Sequence, residues 1–280
     1  MPACSSATSL EAGQAPACPR TTRPCGAITE IGRSRQSFHD GEIWFKRRRP
    51  RLDYHAVVTT RLALDEPCTL RSETIGDAWF AVAGRIVANG VSSRYDDLPI
   101  REISLVTLAV ARPDPDDEII AEHAEPERLA WMHANFTDHS RVAALGDADS
   151  YATRLLDYEH SGRNQVTWVI DRLRADPTSR SATITTFQPH SDAIYIPCVS
   201  MLDFWLPDGA VELVVYAHSI DFGAKGYGNL VELASLQRHV ADSLGLQVGR
   251  LLMIVKSAHV YETELTYIKG VLARVSRPSS

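Results

Sequence analysis

Two β-rich runs joined by a three-residue turn, "SMLDFWL-PDG-AVELVVYAH" (residues 200–218), constrain this chain more than any other feature. Aromatic and β-branched residues fill both runs. Pro-Asp-Gly is turn chemistry, because proline presets φ and glycine accepts the backbone angles of a tight reversal. The stretch predicts a hairpin of core strands. "SATITTF" (residues 181–187) predicts a strand before it, and "GRLLMIVKSAHVYE" (residues 249–262) a last core strand after it. Further strands are expected in "AVVTTRLAL" (residues 56–64) and "REISLVTLAVARP" (residues 101–113).

Between the strands lie segments of helical period. In "TIGDAWFAVAGRIVANG", Ile75, Trp79, Val82, Ala83 and Ile86 share a face and Gly90 can close the helix. "PERLAWMHANF" is a short helix with proline in its first turn. "NQVTWVIDRLRAD" carries Val166, Val169, Ile170 and Leu173 on one side. "NLVELASLQRHVADSLG" is apolar at Leu230, Leu233, Leu236, Val240 and Leu244 and ends at Gly245. Strands and helices do not alternate regularly. The expected class is α+β, a mixed, mainly buried sheet packed with helices in a single domain over residues 51–280. Residues 1–50 are rich in Ser, Pro, Gly, Thr and Arg without periodicity, so a disordered extension is expected there. It ends in the basic cluster "FKRRRPR" (residues 45–51), a solvated linker or a phosphate or nucleic-acid contact.

The totals narrow the class of function. The chain has 280 residues, 44% apolar content and a formal charge of -6 with both signs interspersed, so no general nucleic-acid binding is expected. No apolar run approaches the roughly 18 residues of a membrane span. The N-terminus shows no basic start followed by an apolar stretch, so no secretory signal is expected. The five cysteines form no CxxC pair, which argues against a disulfide framework and a zinc site, and a reducing cytoplasm fits best.

One cysteine has an unusual setting. In "AIYIPCVSMLDFWL", Cys198 follows a proline at the mouth of a buried strand. It is either a small core residue or a thiolate aimed out of the strand end. Other polar groups collect at strand ends in the same half: "DPTSRS" (residues 176–181), "AHSIDFGAKGYGN" (residues 217–229) and "SAHVYE" (residues 257–262). A thiol, an arginine, a serine, an aspartate, an amide and two ring donors suit a negatively charged heteroaromatic ligand.

The order "DPTSR", "PC", Ser219-x-Asp221 with Asn229 eight residues after the aspartate, and "HVY" resembles the folate-dependent thymidylate synthase family. The resemblance runs from about residue 150 to residue 261. It implies a family fold and folate-dependent C5 alkylation of a pyrimidine nucleoside 5′-monophosphate, with 5,10-methylenetetrahydrofolate as one-carbon donor. Cys198 matches the nucleophile that adds to C6 of the base. Arg180 matches a phosphate arginine that the family often takes from the partner subunit, which implies a homodimer with shared sites. Ser219 matches a phosphate hydroxyl, Asn229 the amide on the pyrimidine edge, and Asp221 a base- and folate-side aspartate. His259 and Tyr261 match the pair on the ribose 3′-hydroxyl. Tyr151 matches a tyrosine near the thiol and the C5 proton, and Arg94 an N-terminal phosphate arginine.

The chain also departs from the family pattern. Ser181 stands for a second arginine, and His218 for the arginine before Ser-x-Asp, leaving a partly charged imidazole in place of a fixed fork. Val199 follows the nucleophile, and Asn164-Gln165 opens a helix where Asp-Gln is usual. The catalytic glutamate has three candidates, Glu118, Glu122 and Glu125. The resemblance therefore implies a divergent member. Methylation of deoxyuridylate is the leading expectation, since an amide at Asn229 suits uracil. The alternatives are hydroxymethylation of CMP, dCMP or a uridine nucleotide, and an inactive nucleotide-binding relative.

Overall fold

A computed structural model describes residues 68–95, 97–192 and 195–275. The extension expected over residues 1–50, the basic cluster and the strand expected at residues 56–64 lie outside the described residues. In chain order the elements are β1 (Cys68–Ser72), α1 (Ile75–Asn89), β2 (Val91–Tyr95), β3 (Leu98–Val110), α2 (Glu118–His123) and α3 (Pro126–Thr137). The short β4 (Arg141–Val142) and β5 (Ala148–Asp149) precede α4 (Tyr151–Leu156), α5 (Gln165–Ala175), β6 (Ala182–Thr185) and β7 (Val199–Trp205). Then come β8 (Ala210–Ala217), β9 (Ile220–Asp221), α6 (Gly226–Leu244), β10 (Gln247–Tyr261) and α7 (Leu265–Val275). The α+β class is as expected. Among the described residues no helix is long and apolar enough to cross a membrane.

The sheet runs β1-β3-β10-β8-β7-β6, with β2 beside β3 and β9 beside β10. It is mixed: β10 is antiparallel to β3 but parallel to β8 and β9. The hairpin forms as expected, with Val199 paired to Ala217 at its open end and Trp205 to Glu212 near the turn. Asp208 and Gly209 both take positive φ (55° and 79°), the hand that matches strand twist in a tight hairpin.

Local chemistry explains the helix ends. Thr74 and Asp77 form a reciprocal capping box at the start of α1, whose buried face holds Ile75, Trp79, Val82, Ala83 and Ile86 as expected. Gly245 closes α6 in the left-handed conformation (φ 69°). α6 begins three residues earlier than the sequence pattern indicates, at Gly226 rather than Asn229. The first turn contains two glycines, which periodicity reads as loop but which here allow close packing. β1, β2, α2, α4 and α7 have no counterpart in the sequence reading. β2 is mostly exposed and polar, and α2 and α4 span only six residues each, too few for a helical period to register.

The expectation of a mainly buried sheet needs correction. One face carries the core under α1, α5 and α6, with Leu251, Met253, Val255, Leu213, Val215, Leu202 and Phe204 all buried. On the other face Met201 is 40% exposed, Ile254 42% and Leu105 43%. The apolar runs read as two-sided burial, yet the described residues cover only one side. Inside the core, the fully buried Gln237 of α6 donates its amide to the carbonyls of Val211, Gly249 and Arg250 at 2.7–3.1 Å. It thereby satisfies groups released where the β8–β10 register shifts.

Gly76 marks the tightest helix contact. Its amide donates to Asp117 Oδ2 (3.1 Å), and a Cβ there would sit 2.5 Å from Ile119 Cβ and against Asp117 Oδ1. Asp117 also caps α2 through Ile120 N (3.0 Å), so neither side can retreat cheaply. Gly76→Ala is expected to cost about 2 kcal/mol of stability through overpacking, read as a lower urea midpoint with an unchanged slope.

Candidate active site

The sheet connectivity gathers the polar strand ends. β7 starts where β8 ends, so Cys198, the residue before β7, lies beside His218 and accepts its amide at 3.0 Å. The chain then turns through Ser219 into β9, which pairs with the far end of β10: Ile220 opposite Ala258 and Asp221 opposite His259. β3 and β2 reach the same end, where Tyr261 opposes Ile100 and Tyr95 lies 5.6 Å from the His259 ring. Cys198, Ser219, Asp221, His259 and Tyr261 are thus assembled at one end of one sheet.

Around the thiol, Tyr151 opens α4 and is nearly buried, stacked on Phe136 at 4.5 Å. Its hydroxyl oxygen accepts the amide of Val199 at 3.0 Å, which leaves its own proton available to a further acceptor. Burial raises the Tyr151 pKa far above the usual phenol range, so it stays protonated. Burial also raises the Cys198 thiol, while the Lys225 ammonium and a hydrogen bond with Tyr195 pull it back. The loop before Cys198 is held by an ion pair: Arg154 grips Asp192 with two bonds of 2.7 and 2.8 Å and also bonds the carbonyls of Asp149 and Thr186. Both side chains are almost fully buried.

The turn from β9 to α6 carries the second group of residues. The buried indole of Trp79 donates to Phe222 O at 2.9 Å, and Phe222 N donates to His259 O at 2.7 Å. These bonds fix the turn between α1 and β10. Asp221 accepts Gly223 N at 2.9 Å, but burial dominates and raises its pKa to about 6. Gly223 packs so closely that a Cβ would meet Glu264, Val260 and Asp221 at 3.0–3.1 Å. Asn229 is buried in the first turn of α6, and its Nδ2 donates to Lys225 O at 3.1 Å. Its Oδ1 is buried with no hydrogen-bond partner among the described residues.

At the sugar end implied by the resemblance, His259 Nδ1 meets Ser219 Oγ at 3.3 Å, and the Tyr261 ring stands edge-on at 5.2 Å. Burial lowers the His259 pKa to about 4, so the ring is neutral at physiological pH. Its Nε2 is likewise buried with no hydrogen-bond partner among the described residues. A buried polar atom left unpaired costs roughly 1–3 kcal/mol, and here two such atoms share one end of the sheet. Arg94 lies exposed on β2, one residue from Tyr95, and bonds Asp97 O.

Other expected residues fall outside this group. Arg180 lies beyond the start of β6, its guanidinium 5.3 Å from the Trp205 ring. Trp205 ends β7, seven residues from Cys198, which at strand rise puts the two ends roughly 20 Å apart. His218 turns its ring to Ser200 Oγ (3.3 Å), and burial together with the Lys256 charge lowers its pKa, so at neutral pH it lacks the partial charge read for it. Of the three glutamates, Glu118 and Glu122 are exposed. Glu125 precedes α3 and pairs with Arg128 at 2.5 Å, which also pairs with Glu264 at 3.2 Å. Sequence reasoning missed Tyr195, Lys225, Glu264 and Trp131. Tyr195 and Lys225 stand inside the stretches singled out around Cys198 and Asn229, but neither residue type in a loop signals that it faces a thiol.

The Asp221 shift has a stability consequence. Its folded pKa, about 6, lies above the ordinary value of 3.8, so burial penalises the ionised form. The penalty is absent below the unfolded pKa, grows as pH rises between the two values and is complete above the folded one, reaching about 3 kcal/mol. Asp221→Asn keeps the acceptor for Gly223 and is expected to unfold at higher denaturant than wild type at neutral pH. That advantage should vanish in thermal or urea melts as the pH falls below the ordinary carboxylate range.

Comparison with known proteins identifies the family. Residues 119–280 match the family model described as Thymidylate synthase. A protein of Methanothermobacter marburgensis named "Putative thymidylate synthase" is 34% identical over 216 residues, covering 71% of this chain and 96% of its own length. A protein of the same name from Methanosarcina barkeri is 29% identical over 215 residues, covering 74% of this chain and 95% of its own. The thymidylate synthase of Varicella-zoster virus is 30% identical over 124 residues, 44% of this chain and 41% of the viral protein. With more than half of its length matched by the family model, and most of it shared with full-length archaeal relatives, the chain belongs to the thymidylate synthase family.

Proposed function

We propose that this protein transfers a one-carbon unit to C5 of a pyrimidine nucleoside 5′-monophosphate through a covalent Cys198–C6 adduct, with methylation of deoxyuridylate as the reaction. The observation that carries the reading is the pair of unpartnered buried atoms, Asn229 Oδ1 and His259 Nε2, at the strand end that presents Cys198. Asn229 Oδ1 accepts N3–H of a uracil ring, and the second Nδ2 hydrogen is left for O4. His259 and Tyr261 take the sugar hydroxyl, with Ser219 and Arg94 toward the phosphate.

The chemistry follows from these placements. Cys198 Sγ bonds C6, and the π electrons of the C5–C6 bond move toward C5 and O4, which makes C5 nucleophilic. Tyr151, fixed by Val199 and kept protonated, acts as a hydrogen-bond donor and not as the base itself. Methylenetetrahydrofolate, when bound, would supply both the one-carbon unit and the hydride that reduces it to a methyl group, leaving as dihydrofolate. The chain offers it Asp221 and the half-exposed Trp131 ring, beside which Lys225 Nζ lies 5.5 Å away. An aromatic face, a cation and a carboxylate suit a pterin with an anionic tail. The C5 proton passes to solvent, the hydride supplied with the one-carbon unit completes the methyl group, and Cys198 departs with its bonding electrons, which regenerates the thiolate. A reducing cytoplasm suits a reaction that depends on this thiol.

A homodimer accounts for two otherwise unexplained features. Arg180 cannot reach its own Cys198, and no described residue covers the apolar sheet face around Met201, Ile254 and Leu105. A second copy packed on that face would cover it and bring its own Arg180 toward the first copy's phosphate site. Cys198→Ser and Arg180→Glu are each expected to abolish turnover. Mixing the two inactive variants should restore activity through hybrid dimers. No recovery, with mixed dimers demonstrated by native mass spectrometry, would rule out shared sites.

The activity itself is tested by tritium release from C5-tritiated deoxyuridylate, uridylate, deoxycytidylate and cytidylate, with and without methylenetetrahydrofolate. Folate-dependent release from deoxyuridylate, with thymidylate by mass, is the expected result. Release from a cytidine nucleotide, or a hydroxymethyl product, would replace methylation by hydroxymethylation. No release from any of the four, by protein shown to be folded, would sink the enzyme reading.

A further inference from the structure

We propose that Arg154 is a positioning residue for Cys198: together with Tyr151 of the same helix it closes a ring of hydrogen bonds around Val199, the residue that follows the thiol. The proposal deepens the proposed one-carbon transfer and rests on Cys198 being its nucleophile.

A nucleophile at a strand end is aimed by its main chain, so whatever holds that main chain sets its direction. Both main-chain groups of Val199 are held by side chains. Its amide donates to Tyr151 Oη at 3.0 Å. Its carbonyl accepts the hydroxyl of Thr186. The carbonyl of Thr186 in turn accepts Arg154 Nη1 at 2.7 Å. Arg154 stands three residues after Tyr151 on α4, and the helix itself closes the ring. Thr186 N also donates to Ser200 O at 3.2 Å, so the start of β7 is gripped at two successive residues. Arg154 is 1% exposed and Thr186 fully buried, so water does not compete for these bonds.

The guanidinium has no freedom to turn. Its Nε donates to Asp149 O at 2.9 Å, and Nη1 and Nη2 grip the two oxygens of Asp192 at 2.8 and 2.7 Å. Asp192 also accepts Gln188 N at 2.7 Å. Gln165 holds the carbonyl of Arg154 at 2.9 Å and both main-chain groups of Thr185 at 2.7 and 3.2 Å. A planar fork meets two carbonyl oxygens and a carboxylate at once, whereas a lysine has the charge without the geometry. A buried ion pair is a weak stabiliser, because both charges must be desolvated, and apolar side chains of similar volume commonly serve the fold as well. What the fork adds here is direction: it fixes the Thr186 main chain, and through it the Val199 carbonyl, relative to the helix that carries Tyr151.

The test separates position from stability and begins without turnover. In the full chain, free of nucleotide and folate, hydrogen exchange at the Val199 amide is followed by mass spectrometry with fragmentation to single residues. Arg154→Lys and Asp192→Asn are each expected to speed that exchange about tenfold and to leave the Val215 amide of β8 unchanged. In turnover, both are expected to lower kcat about ten- to a hundredfold and to move KM by less than about twofold, because a misplaced reacting group loses rate and not affinity. The paired change Arg154→Met with Asp192→Leu removes both charges together. It is expected to hold the wild-type urea midpoint and to share the low kcat. Wild-type exchange at Val199 in both single variants would overturn the proposal. So would a loss of kcat no larger than the loss of folded protein, since that would assign Arg154 to stability alone. If the paired variant does not fold, the two single variants decide by the same readings. If wild type itself releases no tritium, the one-carbon transfer fails, and the exchange at Val199 still shows whether Arg154 holds the strand end.

Discussion

A single indole hydrogen bond organises the polar end of the sheet. Trp79 lies fully buried on α1, and its Nε1 donates to the carbonyl of Phe222. That carbonyl belongs to the turn on which Asp221, Lys225 and Asn229 ride. The next constraint is the Phe222 amide on the carbonyl of His259, which ties the turn to the longest strand. A helix from the start of the described chain thereby sets the position of groups some 140 residues later. Around it, the Tyr227 ring packs tilted against the indole, 4.7 Å between centroids. The site is built on packed elements rather than on a free loop.

Burial then decides the charge state of the site at rest. The same desolvation that raises Cys198 and Asp221 lowers His259, so the ungoverned tendency of the region is toward neutrality. The Lys225 ammonium pulls the Cys198 and Asp221 pKa values back against that burial.

The placement of Arg180 and the open sheet face belong to one geometric fact. A strand hairpin has two ends, and Cys198 and Arg180 stand at opposite ones. No rearrangement within one chain closes that distance without breaking the sheet. An apolar face such as that of Met201 and Ile254 is ordinarily covered. Both features are what the proposed homodimer rests on.

Much of this was legible in the residues. Period and turn chemistry located the hairpin, α1, α3, α5, α6 and the last strand, because each depends on short-range sterics and on apolar spacing along one segment. The ordered series of Cys198, Ser219, Asp221, Asn229, His259 and Tyr261 marked the polar end, since residues at successive strand ends must meet when the sheet is mixed. Short elements such as α2 and α4 were not legible, having no full period to display. Nor was the one-sided burial of the sheet, because an apolar residue looks the same whether a helix or another chain covers it. The roles of Lys225, Tyr195 and Arg154 depend on through-space charge and on who buries whom. Those terms arise only when segments distant in sequence come within a few ångströms, and no local pattern encodes them.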